Sequence, residues 1–482
     1  MRRHFIATSL ITLFGLSLPG CKSYQARPLL PQEVVAGVER ARHFMGEQDR
    51  GAESGTAAHA RPPIFSFTQA TELMARNSPA IRQAQAEYDT ALALAKVKTP
   101  LPNPAIEAGP KFGFGPDVMR RAVEPFGSIG FSIPTGKRLK RQDELNRMSA
   151  EMALVEAIAK HRELYLDLRR LYSRLALGRA RIASRKGIVE SAAKSVSLTK
   201  RLGEAGQTTA LDLSLLEVEY ARIQTDSISS EKELLFIEGE LSELIGVHSD
   251  YFQTLPDPAL PEMPGQILSI KELQEILVKN HPELARLRAS YEVSERQLRL
   301  EIAKQFPDFH IGPSAEGDIN DRKTILGLTL GIDIPAFDRN QQNIATSLKR
   351  RDEIRVKYEA AANKALATLD RAWRSYNLSI EKLKLLKIVS EKASASVELA
   401  RKSLEAGATD ALRFLETERA QRAILIDAID TELAVREAWI ETEQAVGFPL
   451  LAFPGERAEA LPPLPDMPSG SQSLPSEEKQ PK

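Results

Sequence analysis

Leu326, Leu328, Leu330, Ile332 and Ile334 alternate strictly with Gly327, Thr329, Gly331 and Asp333. A period of two predicts a strand with one apolar face and one small or polar face. Ile129, Phe131 and Ile133 give a weaker copy of the same pattern. An earlier strand is expected before each, over residues 105–114 and 308–315, with Gly and Pro supplying the turns between. The period then changes. Leu366, Leu369, Trp373, Tyr376, Ile380 and Leu383 are spaced by threes and fours, a heptad seam. Leu154, Ile158, Tyr165, Leu168, Tyr172 and Leu175 occupy the matching stretch earlier in the chain. The run from Lys137 to Leu202 is about 65 residues, roughly 100 Å of helix at 1.5 Å per residue. Gly206 and Gly407 mark the turns that end the long helices, and returning helices are expected over 210–245 and 411–446. Helices of this length must lie side by side as a coiled rod.

The chain reads as one unit written twice. Gly130-Phe131-Ser132-Ile133-Pro134 recurs as Gly331-Ile332-Asp333-Ile334-Pro335, and Leu202-Gly203-Glu204-Ala205-Gly206 as Ser403-Leu404-Glu405-Ala406-Gly407. Leu244-Ile245-Gly246-Val247 recurs as Ala445-Val446-Gly447-Phe448, and all three pairs share an offset of 201 residues. Asn77-Ser78-Pro79 matches Asn280-His281-Pro282 at an offset only two larger. The expected organisation is a signal segment (1–20), an irregular leader (21–63), a first strand–strand–helix–helix repeat (64–250), a stiff Pro-rich linker (251–268), a second repeat (269–450) and a disordered tail (451–482).

Composition narrows the function. Lys plus Arg equals Asp plus Glu at 65 each, which argues against a phosphate-coating surface and so against nucleic-acid binding. The single cysteine excludes an internal disulfide framework. The seven histidines stand singly at 4, 43, 59, 161, 248, 281 and 310 without metal-ligand spacing, so neither a metal site nor another cofactor is expected. Trp373 and Trp439 fall in helix patterns, as packing residues. No nucleophile-and-base motif offers an enzyme reading. The first residues read as an address: Arg2, Arg3 and His4, then an apolar stretch from Phe5 to Leu18 that is short for a bilayer span. Leu18-Pro19-Gly20-Cys21 resembles a bacterial lipoprotein cleavage box, implying acylation (palmitate) at Cys21, each buried CH₂ adding roughly 0.8 kcal/mol of anchoring. An ordinary secretory signal with an incidental cysteine is the alternative. Lys22 in place of a retention aspartate favours the outer membrane.

No later window holds 18 apolar residues, so a mature chain that crosses a membrane does so as a closed barrel. Four strands are fewer than the roughly eight of the smallest membrane barrels, so several chains must contribute.

Strand–strand–long helix–helix, written twice behind a lipoprotein-like signal, resembles the TolC family of outer-membrane efflux proteins over most of the mature chain. Ile133-Pro134-Thr135-Gly136-Lys137-Arg138 and Ile334-Pro335-Ala336-Phe337-Asp338-Arg339-Asn340 are similar to motifs of its heavy-metal branch, although Gln342 stands where that branch has glycine. The resemblance implies a mainly α fold with membrane β: a homotrimeric 12-stranded outer-membrane barrel continued by an α-helical coiled-coil tunnel through the periplasm. It implies a passive conduit for metal cations or small toxic compounds, driven by an inner-membrane efflux pump through a periplasmic adaptor (membrane fusion) protein. The periplasmic entrance would lie at the tip turns, Gly206 and Gly407. Counting on from those glycines gives Asp212, Arg413 and Glu416 as candidate gate residues, with Arg413 suggesting an interchain Arg–carboxylate latch. Ordinary exposed charges on coiled-coil flanks are an equal alternative. Lys137, Arg138, Lys140 and Arg141 are candidates for contact with outer-membrane lipid headgroups, or a solvated basic face. A different class of function, a lipid-anchored periplasmic scaffold or adaptor, also uses helical hairpins. It gives no reason for a strand pair ahead of each one.

Overall fold

The structure, a computed structural model, describes residues 24, 26–51, 65–112, 123–206, 208–253, 255–263, 268–318, 323–406, 408–409 and 411–454. The signal segment, Cys21, the turn glycine Gly407 and residues 455–482 therefore lie outside the described residues. The chain divides into two compact units, Met1–Ala58 and His59–Lys482. The first holds a helix, α1 (Pro31–Gly51), where an irregular leader was expected. Proline at its first position and Glu33 in its first turn suit a helix N-terminus.

The second unit contains α2 (Phe67–Asn77), α3 (Pro79–Lys96), β1 (Ala105–Phe112), β2 (Val123–Ile133), α4 (Arg138–Glu204), α5 (Ala210–Ile245), α6 (Asp250–Gln253), α7 (Ile270–Asn280), α8 (Pro282–Ala303), β3 (Phe309–Asp318), β4 (Lys323–Ile332), α9 (Gln341–Glu405) and α10 (Ala411–Val446). The four long helices occupy the expected spans. Each strand pair, however, follows a short helix pair that the strand–strand–helix–helix reading lacked. The first helix of each pair starts on a capping box: Ser66 pairs reciprocally with Gln69, and Ser269 with Glu272. The strand at 326–334 was also placed two residues late, since β4 ends at Ile332.

The motif pairs that recur in sequence meet in space. Each returning helix ends on a left-handed glycine, Gly246 (φ 84°) or Gly447 (φ 74°). A Cβ on Gly246 would lie 2.6 Å from the Asn77 carbonyl oxygen, and one on Gly447 2.6 Å from Pro282 Cδ. Asn77-Ser78-Pro79 and Asn280-His281-Pro282 are thus the kinks on which the returning helices end. In each half, this contact locks the start of the unit to its end.

The core runs along α4, which has 19 buried residues, among them Tyr165, Leu168, Tyr172 and Leu175 of the expected seam. At its centre Phe65, Phe67, Tyr165, Tyr172 and Phe453 form an aromatic cluster with ring centroids 4.6–5.7 Å apart. Tyr172 donates its hydroxyl to the Phe65 carbonyl at 2.5 Å, and burial pushes that phenol well above its ordinary range. Phe453 belongs to the segment expected as disordered tail. Its ring is buried, so the packed chain extends at least that far. The linker is likewise tied down by a parallel bridge between Phe65 and Pro258.

Candidate conduit elements

The four strands form one antiparallel sheet in the order β1-β2-β3-β4, so the second half's hairpin continues the first half's. The register puts Ile106 opposite Ile129, Phe131 opposite Ile311, and Ile311 opposite Leu330. Since side chains alternate along a strand, these partners share a face. Ala108, Pro110, Phe112, Ile133, Phe309, Pro313, Ala315, Leu326, Leu328 and Ile332 join them, giving an apolar face across all four strands. It is bare: Leu326, Leu328 and Leu330 are 80%, 65% and 71% exposed. The opposite face carries Glu107, Lys111, Ser128, Ser132, Ser314, Glu316 and Thr329. On it, Lys111 Nζ reaches across the Phe126 ring to Glu316 Oε2 at 2.7 Å.

At the foot of the sheet the chain turns from strand to helix through left-handed residues, Lys137 (φ 61°) and Asn340 (φ 59°). Gly136 precedes the first, also at positive φ, and a Cβ there would lie 2.6 Å from Phe306 Cδ2. Arg138 is not a free headgroup ligand here: its Nη2 pairs with Asp308 Oδ2 at 2.6 Å, joining the halves. Arg141 pairs with Glu144 at 2.7 Å, while Lys137 and Lys140 are exposed. In the second half, Asp338 Oδ1 accepts the Asn340 N–H at 2.8 Å. Asn340 Nδ2 in turn donates to the Glu301 carbonyl at 2.8 Å and to its Oε2 at 2.7 Å. The Asp and Asn of the second motif are therefore turn-builders.

At the far end, Gly206 turns at φ 74°. Thr209 caps α5, accepting the Asp212 N–H at 3.2 Å, while Asp212 Oδ2 accepts the Thr209 N–H at 3.0 Å and hydroxyl at 2.7 Å. Those bonds hold Asp212 below the ordinary carboxylate range. Asp212 thus has a local capping task whatever else it does. Arg413 and Glu416 are exposed on the first turns of α10. Beside them Leu216, Phe414 and Leu415 make a small buried cluster with Val196, Leu198, Val397, Ala400 and Leu404, which holds the hairpins together near their tips.

A seam missed in the sequence links α4 to α10. Arg169 pairs with Glu443 (2.9 Å), Arg174 with Glu437 (2.7 Å) and Arg181 with Asp430 (3.1 Å), and the Ser195 hydroxyl donates to Glu418 (2.5 Å). These partners are 223–274 positions apart, and their antiparallel register shows only once the helices are side by side. The first pair is fully buried, both side chains being 0% exposed.

Among the described residues no helix is long and apolar enough to cross a membrane. Residues 273–447 match the family described as outer membrane efflux protein. The chain is 24% identical over 289 residues to the cobalt-zinc-cadmium resistance protein CzcC of Cupriavidus metallidurans, covering 59% of this chain and 67% of that protein. It is 26% identical over 317 residues to the outer membrane protein OprJ of Pseudomonas aeruginosa, covering 62% and 63%. The alignments thus span about two thirds of each relative's length. The fold is similar to that of the outer-membrane channel OprN, with a TM-score of 0.67 at 19% identity over 79% of this chain and 89% of that one. The matched family segment thus covers the second half of the chain as far as the end of α10, and the fold as a whole is similar to that of a solved outer-membrane channel.

Proposed function

We propose that this protein is the outer-membrane channel of a tripartite efflux system, three copies closing a 12-stranded barrel above an α-helical tunnel. The observation that carries this reading is the sheet: four strands, two free edges, and a bare apolar face opposite a polar one. In lipid, unpaired edges cost several kcal/mol per backbone group, so β4 of one copy must pair with β1 of the next. The helices support the same closure. α8 lies between α4 and α9 and buries nine residues; its counterpart α3 packs mainly on α4, with a minor contact to α5, and buries none. α9 buries only five among its described residues and leaves Leu378, Leu385 and Leu399 exposed at heptad spacing. α5 leaves Leu211, Leu215 and Val218 exposed on the other flank.

The conduit is passive, energised by an inner-membrane pump through a periplasmic adaptor. Its cargo is metal cations or small toxic compounds, the resistance protein named among the relatives favouring cations. Cys21 carries the lipid anchor, Arg413 and Glu416 stand at the periplasmic entrance, and Lys137 and Lys140 face the headgroups. The test is outer-membrane extraction followed by electrophoresis with and without heating, and conductance in planar bilayers. A heat-dissociable oligomer that conducts supports the reading. A non-conducting monomer in the soluble periplasmic fraction would overturn it in favour of a scaffold, whose function gives no reason for a two-faced sheet.

A further inference from the structure

The seam inside the chain is a template for the seam between copies. Inside, the turn after β2 docks on the segment before β3: Thr135 donates its hydroxyl to the Pro307 carbonyl, Arg138 pairs with Asp308, and Gly136 lies against Phe306. The receiving tripeptide Phe306-Pro307-Asp308 has a sequence counterpart, Leu101-Pro102-Asn103, just before β1. The docking turn has one too, after β4. These two counterparts sit on opposite free edges of the sheet, where one chain cannot bring them together.

The counterparts are not copies. From Pro335 to the left-handed Asn340 the turn is two residues longer than from Pro134 to Lys137, and it carries Phe337. Phe337 is 96% exposed on a turn tied down through Asp338, Asn340 and Glu301. The receiving side is equally bare and equally fixed. Leu101 is 62% exposed and Leu94 and Val97 are exposed beside it. Two residues before Leu101, Asp143 of α4 accepts the Thr99 N–H at 2.8 Å and hydroxyl at 2.6 Å. Inside the chain a phenylalanine on the receiver meets glycine on the turn; across the free edges a phenylalanine on the turn would meet leucine. A large apolar side chain on a rigid turn, with an apolar patch on the opposite edge, is the arrangement of a head-to-tail contact. Charge favours the same occupant. α9, below Phe337, has 14 basic and 8 acidic residues, whereas α5 on the opposite flank has 2 basic and 9 acidic.

We propose that Phe337 is the knob of the inter-copy seam, seated at the foot of the sheet against Leu94, Val97 and Leu101 of the next copy. The inference rests on the ring closure proposed above, and the experiment separates the two. The photo-crosslinking residue p-benzoylphenylalanine is placed at 337, and in a second protein at Thr329 on the β4 edge, each full-length in outer membranes. The expected result is a dimer-sized adduct from both, with position 337 joined to the peptide containing residues 94–101. If Thr329 joins a second copy while position 337 joins phospholipid or another protein, the knob is wrong and the ring stands. If neither joins a second copy, the ring closure itself fails. Size exchange is the second arm. Phe337→Ala should lower the association constant of the detergent-extracted oligomer by roughly thirtyfold, as truncation of an interface anchor does. Leu101→Phe in that background should recover most of the loss by restoring a phenylalanine from the other side. Unchanged association in Phe337→Ala, with helicity intact, would overturn the proposal.

Discussion

The Arg169–Glu443 pair allows a sharp test of what joins the two halves. Glu443 Oε2 accepts from Arg169 Nε at 2.9 Å, while Oε1 accepts from Arg169 Nη2 (3.0 Å), Trp439 Nε1 (2.9 Å) and the N–H groups of Leu450 (2.8 Å) and Leu451 (3.1 Å). The guanidinium also donates to the Leu451 carbonyl and lies 4.3 Å from the Phe453 ring centroid. Glu443→Gln keeps the shape and one acceptor but turns an N–H₂ toward Arg169. A buried cation without its anion costs about 3–5 kcal/mol. Arg169→Met is expected to be milder, because three N–H donors still satisfy the carboxylate left behind. The double variant Arg169→Met/Glu443→Gln removes both charges, so its cost should fall short of the summed single costs by about 2–3 kcal/mol. Guanidinium unfolding of the detergent-extracted protein, followed by helical circular dichroism, reads all four corners of the cycle. Single costs that add in the double to within about 0.5 kcal/mol would refute direct coupling.

Gly447→Ala should cost about 2 kcal/mol or more, since it combines a left-handed residue with a Cβ 2.6–2.8 Å from Pro282, Asn280 and His281. Gly206→Ala, at the same φ of 74° with nothing within 4 Å, should show only the conformational cost of about 1 kcal/mol; equal unfolding midpoints for the two would refute the kink lock. Leu328→Lys on the apolar face should reduce heat-stable oligomer in outer membranes, by about 2–4 kcal/mol at mid-bilayer, while Thr329→Lys on the polar face is tolerated; the reverse order would mean the faces are assigned backwards. Burial holds His281 below the ordinary imidazole range, Arg286 adds to this, and Glu283 and Glu163 oppose it. Its folded-state pKa therefore lies below the unfolded value of about 6.5. Its contribution to stability is present above that value and lost as pH falls through it. His281→Gln should make stability fall less steeply between pH 7 and pH 5, and parallel pH profiles for variant and parent would contradict this.

What could be read from the sequence was what local physics decides. Both returning helices were bounded to the residue by their glycine ends, and β4 announced itself because leucine and isoleucine alternate along it with small or polar residues. The short helix pairs escaped, although Ser66–Gln69 and Ser269–Glu272 stand at capping-box spacing. α3 buries nothing in its own chain, so no core-facing stripe was there to find. α1 was lost among Gly, Pro and charged neighbours, and Phe453 among prolines. The α4–α10 seam could not be seen at all. An arginine on a helix is compatible with solvent, and only the packed register gives Arg169, Arg174 and Arg181 their acids. At the candidate gate the gain was a local one: Thr-x-x-Asp at 209–212 is a capping box that sequence alone could have identified.

The distribution of burial says why the internal seam is polar while the outer edges are greasy. α4 is covered from both sides by its own chain, and a seam formed during folding of a single chain can satisfy buried charges with fixed partners. Arg169 and Glu443 share two hydrogen bonds across that seam, Trp439, Leu450 and Leu451 supply further partners, and the guanidinium lies over the Phe67 and Phe453 rings. The flanks are α3, with no buried residue, and α9 with five among its described residues; they expose leucines and Phe337 instead. An edge that waits for a second copy is solvated until the copy arrives, and apolar contact forms there without first orienting a buried ion pair. On the proposed ring closure, apolar anchors give the outer seams their affinity. The opposite net charges of α9 and α5 then choose the partner edge. Stability would in turn depend on protomer concentration at the flanks, but not at the Arg169–Glu443 node.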